Sequence, residues 1–289
     1  MCIARLAERS RALILVADKA STIGAMRDDT DAQKMLRLGR SGWMALTAGD
    51  GGQCDAVVRK VAAIVDKDKR LMGDAAALAE CIQDTYRTYR DQILEQEVLA
   101  PNLLTRDLWS ARPAVLQPLS NSIIGEVQDR LHDFLHGPDP GFNCELLFCG
   151  FDAAGRPNII WIDEGSTAHN ITNEGFSSIG SGATTALGRL LWQQIRRTDG
   201  LGRARYETFD AKAHAEQIEG VGLGWDARII IGERIISPPR TIKSLVEAVF
   251  ETSNQTPFKR RPARHPRRWR QTLESYGRGI MKKYAKRQA

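Results

Sequence analysis

Two short apolar runs open the chain, Ile3 to Ala7 and Ala12 to Ala17, separated by the polar residues Glu8, Arg9, Ser10 and Arg11; a third run, Trp43 to Ala48, follows a polar excursion. Short apolar runs bounded by polar breaks read as strands, so this stretch predicts a β-hairpin and a returning strand. The hairpin brings three residues near one sheet end: Cys2 at the start of the first run, Asp18 at the end of the second, and Lys34 ahead of the third.

An initiator methionine followed by a residue as small as cysteine is normally trimmed. The expected mature chain therefore begins at Cys2, with a thiol and a free α-amine on one residue. An α-amine with a pKa of about 8 can accept the proton of its own nucleophile near neutral pH. A thiol needs less activation than a hydroxyl, because part of it is already thiolate. A lysine ammonium nearby favours both the neutral amine and the thiolate, and Asp18 could hold Lys34 in that place. Taken alone, the three residues also fit an ordinary small residue at a terminus, a strand-end carboxylate and a solvated lysine.

Farther along, apolar residues at Cys54, Val57, Val58, Val61, Ile64 and Val65 mark one face of a helix, and a second helix is predicted from about Asp74 to Val98, ending before Pro101. Residues 101–141 are punctuated by prolines, carry one helical stretch from Ser122 to Leu135, and read as an insertion. His132 and His136 stand one helical turn apart there, with Asp129 and Asp133 nearby, but no third ligand has a clear spacing, and the pair reads as a solvated helix face rather than a metal site. Neither a metal nor an organic cofactor is implied. Glu145 to Asp152 and Asn158 to Asp163 flank a Gly- and Pro-containing break and predict a hairpin, with a further short strand within 165–176. Gly180, Ser181 and Gly182 then open an apolar-periodic helix. Such a turn can bind phosphate through backbone N–H groups, but it is too short for a Walker loop and lacks the lysine. A short helix from Phe209 to Ile218, strands at Ala227 to Ile231 and Ile235 to Ile236, and a helix from Thr241 to Thr252 complete the expected body.

Several of these blocks, in this order, resemble the proteasome β-subunit family of N-terminal-nucleophile hydrolases, including the bacterial ring protease that works with an ATPase unfoldase. Val16-Ala17-Asp18 and the Lys19-Ala20-Ser21-Thr22 after it are similar to the family's strand ending in Ala-Ala-Asp and its turn. Lys34 to Leu38 is similar to the segment at its lysine, Ala45 to Gly52 to its glycine-bearing strand end, and Phe176 to Gly188 to its Ile-Gly-Ser-Gly strand-to-helix turn. The resemblance implies an α+β fold: a four-layer αββα sandwich over 2–257, with a helical insertion at about 101–141. It implies hydrolysis of peptide or amide bonds through an acyl-enzyme on Cys2, with Lys34 held by Asp18, the Gly49 N–H as oxyanion donor and Ser181 orienting the amine. It further implies a peptide or protein substrate, a homo-oligomeric ring and an ATPase unfoldase as partner. Counted without gaps, Cys2, Asp18 and Lys34 reproduce the family's spacing. The loop at 8–11 looks longer than the family's turn, however, and a two-residue shift would leave an inactive structural subunit. No serine occupies the glycine-rich turn Gly220 to Asp226, where the family places one beside an acid.

No run approaches the roughly 18 apolar residues of a spanning helix, and the N-terminus lacks a signal-peptide pattern, so no membrane span and a cytoplasmic location are expected. Five cysteines without a CxxC pair suggest neither a disulfide framework nor a zinc site. The net charge of +6 hides an uneven distribution: residues 258–289 hold twelve Lys and Arg against one Glu, or +11, which leaves −5 for residues 1–257. With Trp269, Tyr276 and Tyr284 interspersed, this basic C-terminal tail could hold nucleic acid or an anionic membrane surface, or be a solvated tail. Two alternatives to a peptidase stay open. One is a glutamine amidotransferase-like amidohydrolase, a class that often starts Met-Cys but carries glycine next. The other is a non-catalytic structural or nucleic-acid-binding protein.

Overall fold

The computed structural model describes residues 1–23, 26–28, 32–110, 121–136, 141–163, 165–218, 220–222, 224–239, 244, 247 and 266–285. The opening hairpin forms as expected: β1 (Cys2–Ala7) and β2 (Ala12–Asp18) pair antiparallel, with Cys2 opposite Ala17 and Ala7 opposite Ala12. Glu8, Arg9 and Ser10 in the turn have φ of 53°, 57° and 65°, a left-handed run that non-glycine residues resist. The chain around 197–201 holds them there. The N–H groups of Glu8 and Arg9 donate to Asp199 O and Arg197 O at 2.9 and 2.7 Å, and Glu8 Oε1 accepts from Leu201 N at 2.7 Å.

A small hairpin, β3 (Ser21–Ile23) and β4 (Met26–Asp28), precedes β5 (Met35–Arg37) and β6 (Met44–Gly49). Among the described residues four α-helices follow: α1 (Gly51–Lys67), α2 (Ala75–Leu94), α3 (Arg106–Ser110) and α4 (Asn121–His136). Then come β7 (Cys144–Phe151), β8 (Pro157–Ile162), β9 (Ala168–Asn170) and β10 (Phe176–Ile179), helices α5 (Ala183–Trp192) and α6 (Leu201–Ala215), strands β11 (Trp225–Ile231) and β12 (Arg234–Ile236), and helix α7 (Pro266–Ala285). Two five-stranded antiparallel sheets result, ordered β10-β1-β2-β11-β12 and β5-β6-β7-β8-β9.

Strand alternation decides the layering. Cys2, Ala4 and Leu6 of β1 and Leu13, Leu15 and Ala17 of β2 pack on Met44, Leu46, Leu147 and Cys149 of the other sheet. The opposite face of the first sheet, with Ile14, Val16 and Ile229, packs on α6 and α7. Ala45, Leu146 and Phe148 on the outer face of the second sheet pack on α1 and α2. The architecture is an α+β sandwich, two sheets face to face with helices outside.

Three expectations change. The helix expected from Phe209 is α6, which starts eight residues earlier, at Leu201. Its charged first turns hide it because it is packed on several sides at once: Arg205, Glu207, Asp210 and Lys212 are all buried, so no apolar stripe is visible. The strand expected within 165–176 is confined to β9, and β10 starts only at Phe176. Residues 266–285 of the expected tail form α7, which docks on α6 through Leu273, 1% exposed, with Tyr276, Ile280 and Met281 beside it. Thr241 to Thr252, apart from 244 and 247, and residues 258–265 lie outside the described residues.

Helices α6 and α7 cross at two glycines. A Cβ at Gly202 would stand 2.4 Å from Leu273 backbone C and O, and one at Gly277 would stand 3.0 Å from Gly202 N. Backbone cannot give way as a side chain can, so Gly202→Ala is expected to cost about 1–3 kcal/mol by forcing α7 outward. Gly279 on the same helix meets nothing within 4 Å. There alanine is expected to be neutral or stabilising by up to about 1 kcal/mol. Denaturant midpoints of the two variants check the contrast, and equal shifts would mean that the crossing does not depend on glycine.

Candidate active site

The start of β1 and the end of β2 meet at one end of the seam between the sheets. Because Asp18 N donates to Met1 O at 3.1 Å, the strand register itself sets the terminal amine beside the Asp18 carboxylate. Asp18 Oδ2 accepts from the Met1 ammonium, while Oδ1 accepts from Lys34 Nζ at 2.8 Å and from Ala20 N at 2.9 Å. The side chains of Met1 and Asp18 are sealed and that of Lys34 keeps 17% exposure, so this ion cluster meets water only on its lysine side.

Cys2 lies in the seam and is fully buried. Its thiol donates to Thr47 O at 3.2 Å, and its backbone carbonyl accepts from Ser178 Oγ at 2.9 Å. Burial pushes the Cys2 thiol up to about 11, against the pull of the terminal ammonium and Lys34. Burial also holds the Met1 ammonium below its ordinary 8.0, although Cys2 and Asp18 favour its charge. For Lys34 burial is again the largest single influence and lowers the value, but the Asp18 charge and hydrogen bond, with Cys2, outweigh it, and the ammonium ends above 10.5. Lysine therefore carries the charge, and the α-amine is the group that can give up its proton. General-base chemistry needs that division.

The thiol has a consequence for stability. The unfolded thiol ionises near 9.0 and the folded one near 11, so the folded state holds the extra proton between them and stability falls as pH rises across that window. In the chain that retains Met1, Cys2→Ala is expected to flatten this part of the stability curve by up to about 1.4 kcal/mol per pH unit. Parallel curves for the two proteins would mean that the thiol ionises alike in both states.

Gly49 ends β6 at the same end of the seam, with φ of 96°; a side chain there would come within 2.4 Å of Asn143 O and Oδ1. Glycine is thus required by the turn into α1 whatever its N–H does. Ser181 lies exposed in the turn between β10 and α5, and among the described residues no hydrogen bond links it to the Met1 amine. Its neighbour Gly180 makes the close approach: a Cβ there would stand 3.2 Å from Met1 Cα. Cys2, Asp18 and Lys34 are brought together, Gly49 stands at the rim, and Ser181 faces outward.

Three residues of the site have no counterpart among the expected ones. Thr47 and Ser178 hold Cys2 from either side. Glu145 on β7 accepts from Gly180 N at 2.8 Å and from Trp161 Nε1 at 3.1 Å, which fastens the turn over Met1 to the second sheet. An acid at the start of an otherwise apolar strand is the only sequence signal for it. Two surface clefts, one along α2 and one bounded by α5, α6 and α7, do not include Cys2.

Among the described residues, no group of three or more His, Cys, Asp or Glu side chains could hold a metal ion, and no helix is long and apolar enough to cross a membrane. His132 is exposed on α4, and the His136 side chain lies outside the described residues. Compared with protein-family models and with curated proteins, the chain matches none.

Proposed function

We propose that this chain is an N-terminal-nucleophile hydrolase of the proteasome-like kind, which cleaves amide bonds with Cys2 once Met1 has been removed. The observation that carries the reading is the buried row of Lys34, Asp18 and terminal amine at the head of the strand that bears Cys2. With Met1 in place the free amine belongs to Met1 and not to Cys2, whose side chain is fully buried in the seam. Trimming transfers the free amine to Cys2 itself, while Lys34 stays. The thiol proton then has an acceptor on the same residue.

In the proposed reaction the Cys2 sulfur attacks the substrate carbonyl and the Cys2 amine carries the thiol proton to the leaving amine. Water then hydrolyses the thioester. The Gly49 N–H serves as oxyanion donor, a role worth about 2.7–4 kcal/mol when well aimed. A peptide or protein substrate, a cytoplasmic ring and an unfoldase partner belong to the same proposal and rest on the family resemblance.

The test begins with the intact mass, which establishes whether the mature chain starts at Cys2. A peptide bearing a thiol-reactive electrophile is then expected to label Cys2 in the trimmed chain and not in a chain that retains Met1, and the trimmed chain is expected to cleave a fluorogenic peptide. A trimmed chain that neither labels nor cleaves sinks the proposal. Ammonia release from glutamine in place of peptide cleavage would move it to the amidotransferase class.

The docking of α7 favours a second, compatible role. Its apolar side is spent on α6, and Arg278 and Lys282 remain exposed on a segment rich in Lys and Arg. We propose that this face binds nucleic acid. Binding is expected to weaken steeply with salt, with each lost phosphate contact reducing the log–log slope by about 0.9. Arg278→Glu with Lys282→Glu is expected to reduce that slope, and a salt-independent gel shift would exclude the role.

A further inference from the structure

Met1 is held as a ligand would be. Its ammonium meets Asp18, its carbonyl oxygen accepts the Asp18 N–H at 3.1 Å, and its side chain lies in an apolar chamber walled by Ala186, Leu190, Ala211, Ala215 and Val221. Two glycines fit closely around it. A Cβ at Gly180 would stand 3.2 Å from Met1 Cα, and one at Gly182 would stand 3.2 Å from Met1 Sδ. Ammonium, carbonyl, α-carbon and side chain are therefore each met by a fixed feature of the fold. The chamber opens on the helix side of the first sheet and the Cys2 sulfur on the seam side, because successive strand residues face opposite ways. Removal of Met1 leaves the apolar wall and the Asp18 carboxylate together, complementary to the group just lost.

We propose that in the mature chain the space vacated by Met1 is the acyl subsite serving Cys2, and that it takes an α-aminoacyl group with a free ammonium and an unbranched apolar side chain. This deepens the hydrolase reading and rests on it. The preferred substrate is a methionine-like N-terminal residue in amide linkage, released as the free amino acid. The acyl carbon of Met1 is bonded to the Cys2 nitrogen, and sulfur and nitrogen of one cysteine share a Cα. An acyl carbon at the mouth of the chamber, beside the Cys2 nitrogen and not bonded to it, can thus be met by sulfur in a five-membered arrangement once the Cys2 side chain turns from Thr47 O toward it. Sulfur bonds to the acyl carbon, the substrate C–N bond breaks, and the thiol proton leaves on the departing amine by way of the Cys2 amine. Water adds to the thioester, the C–S bond breaks, and a proton returns to sulfur.

The test separates binding from chemistry. The Cys2→Ala protein, with its mature N-terminus verified by intact mass, is titrated with L-methioninamide and with N-acetyl-L-methioninamide. One equivalent of the free amine is expected to bind, and the acetylated form at least about 100-fold more weakly, since Asp18 Oδ2, the oxygen that faces the amine, is left without its donor by an analogue that lacks the ammonium. A preparation retaining Met1 is expected to bind neither. Absence of binding, equal binding of both amides, or binding to the Met1-retaining chain overturns the subsite. The wild-type mature chain is expected to hydrolyse methionyl p-nitroanilide with a kcat/KM at least about 100-fold above that of its N-acetyl derivative. If blocked peptides are cleaved and Cys2 is labelled while methioninamide does not bind, the nucleophile stands and the subsite falls. If methioninamide binds but Cys2 stays unlabelled and no amide is cleaved, the nucleophile falls, and with it the assignment of the chamber to catalysis.

Discussion

Asp18→Ala is expected to destabilise the Met1-retaining chain by about 3–5 kcal/mol, and to lower hydrolysis by the trimmed one. Asp18 is 1% exposed and accepts from three donors: the terminal amine, Lys34 and Ala20 N. Removing it strands two cations where water scarcely reaches. The cost of breaking a buried pair lies mostly in the partner left behind. Lys34 retains some exposure, which places the effect toward the lower end of the range. Asp18→Asn keeps the shape and one acceptor but cannot neutralise either cation, so it is expected to fall between alanine and wild type. Adding Lys34→Met to Asp18→Ala removes one stranded charge and is expected to recover part of the loss, which a double-mutant cycle reads directly. The Lys34 share of the stabilisation is full below pH 10.5 and disappears as pH rises through its elevated folded value, so the penalty for Asp18→Ala shrinks in strong alkali. Urea midpoints with unchanged slopes check the ranking. A loss under about 1 kcal/mol for alanine would mean that the cations find water and that the cluster is no buried array.

Much of this site is legible in the sequence because it follows from one hairpin. Two apolar runs around a wholly polar break predict the hairpin, and the register it adopts puts Cys2 opposite Ala17 and hence beside Asp18. Lys34 follows because it immediately precedes β5, which pairs with the returning strand β6. What the sequence hides are contacts between distant positions with no periodic signature. Glu145 finds Gly180 and Trp161, 35 and 16 residues away, and nothing local distinguishes it from a solvated strand-end acid. Helix α6 escapes pattern reading because charged residues such as Arg205 and Lys212 are buried in it, so the usual contrast between faces is erased. Helix α7 escapes for the opposite reason. Its Lys and Arg content reads as a solvated tail, while its docking depends on Gly277 meeting Gly202, which composition cannot show. The left-handed Glu8 to Ser10 is likewise fixed by a loop almost two hundred residues away in sequence, not by its own residue types.

Cys2→Ala, the variant with the largest expected effect on rate, is expected to lower hydrolysis on the order of 10⁶-fold, the scale seen when a covalent hydrolase loses its nucleophile. Its fold should change little, because alanine suits the seam and the lost thiol contact with Thr47 O is a weak one. That contrast between rate and stability separates a nucleophile from a merely structural cysteine. Cys2→Ser sharpens it: serine is small enough to leave Met1 trimming unaffected, so only the sulfur changes. A hydroxyl has almost no anionic form near neutral pH, so serine should retain measurable activity far below that of cysteine. The third arm leaves Cys2 untouched and blocks trimming during expression. With Met1 retained, the amine is displaced from Cys2 and the sulfur stays 0% exposed, so this chain is expected to be as inactive as the alanine variant. Loss of activity without any change to the thiol is the signature of a nucleophile that depends on its own amine and on an opened chamber. A Met1-retaining chain that hydrolyses as fast as the trimmed one would remove the amine from the mechanism and leave Cys2 an ordinary buried cysteine.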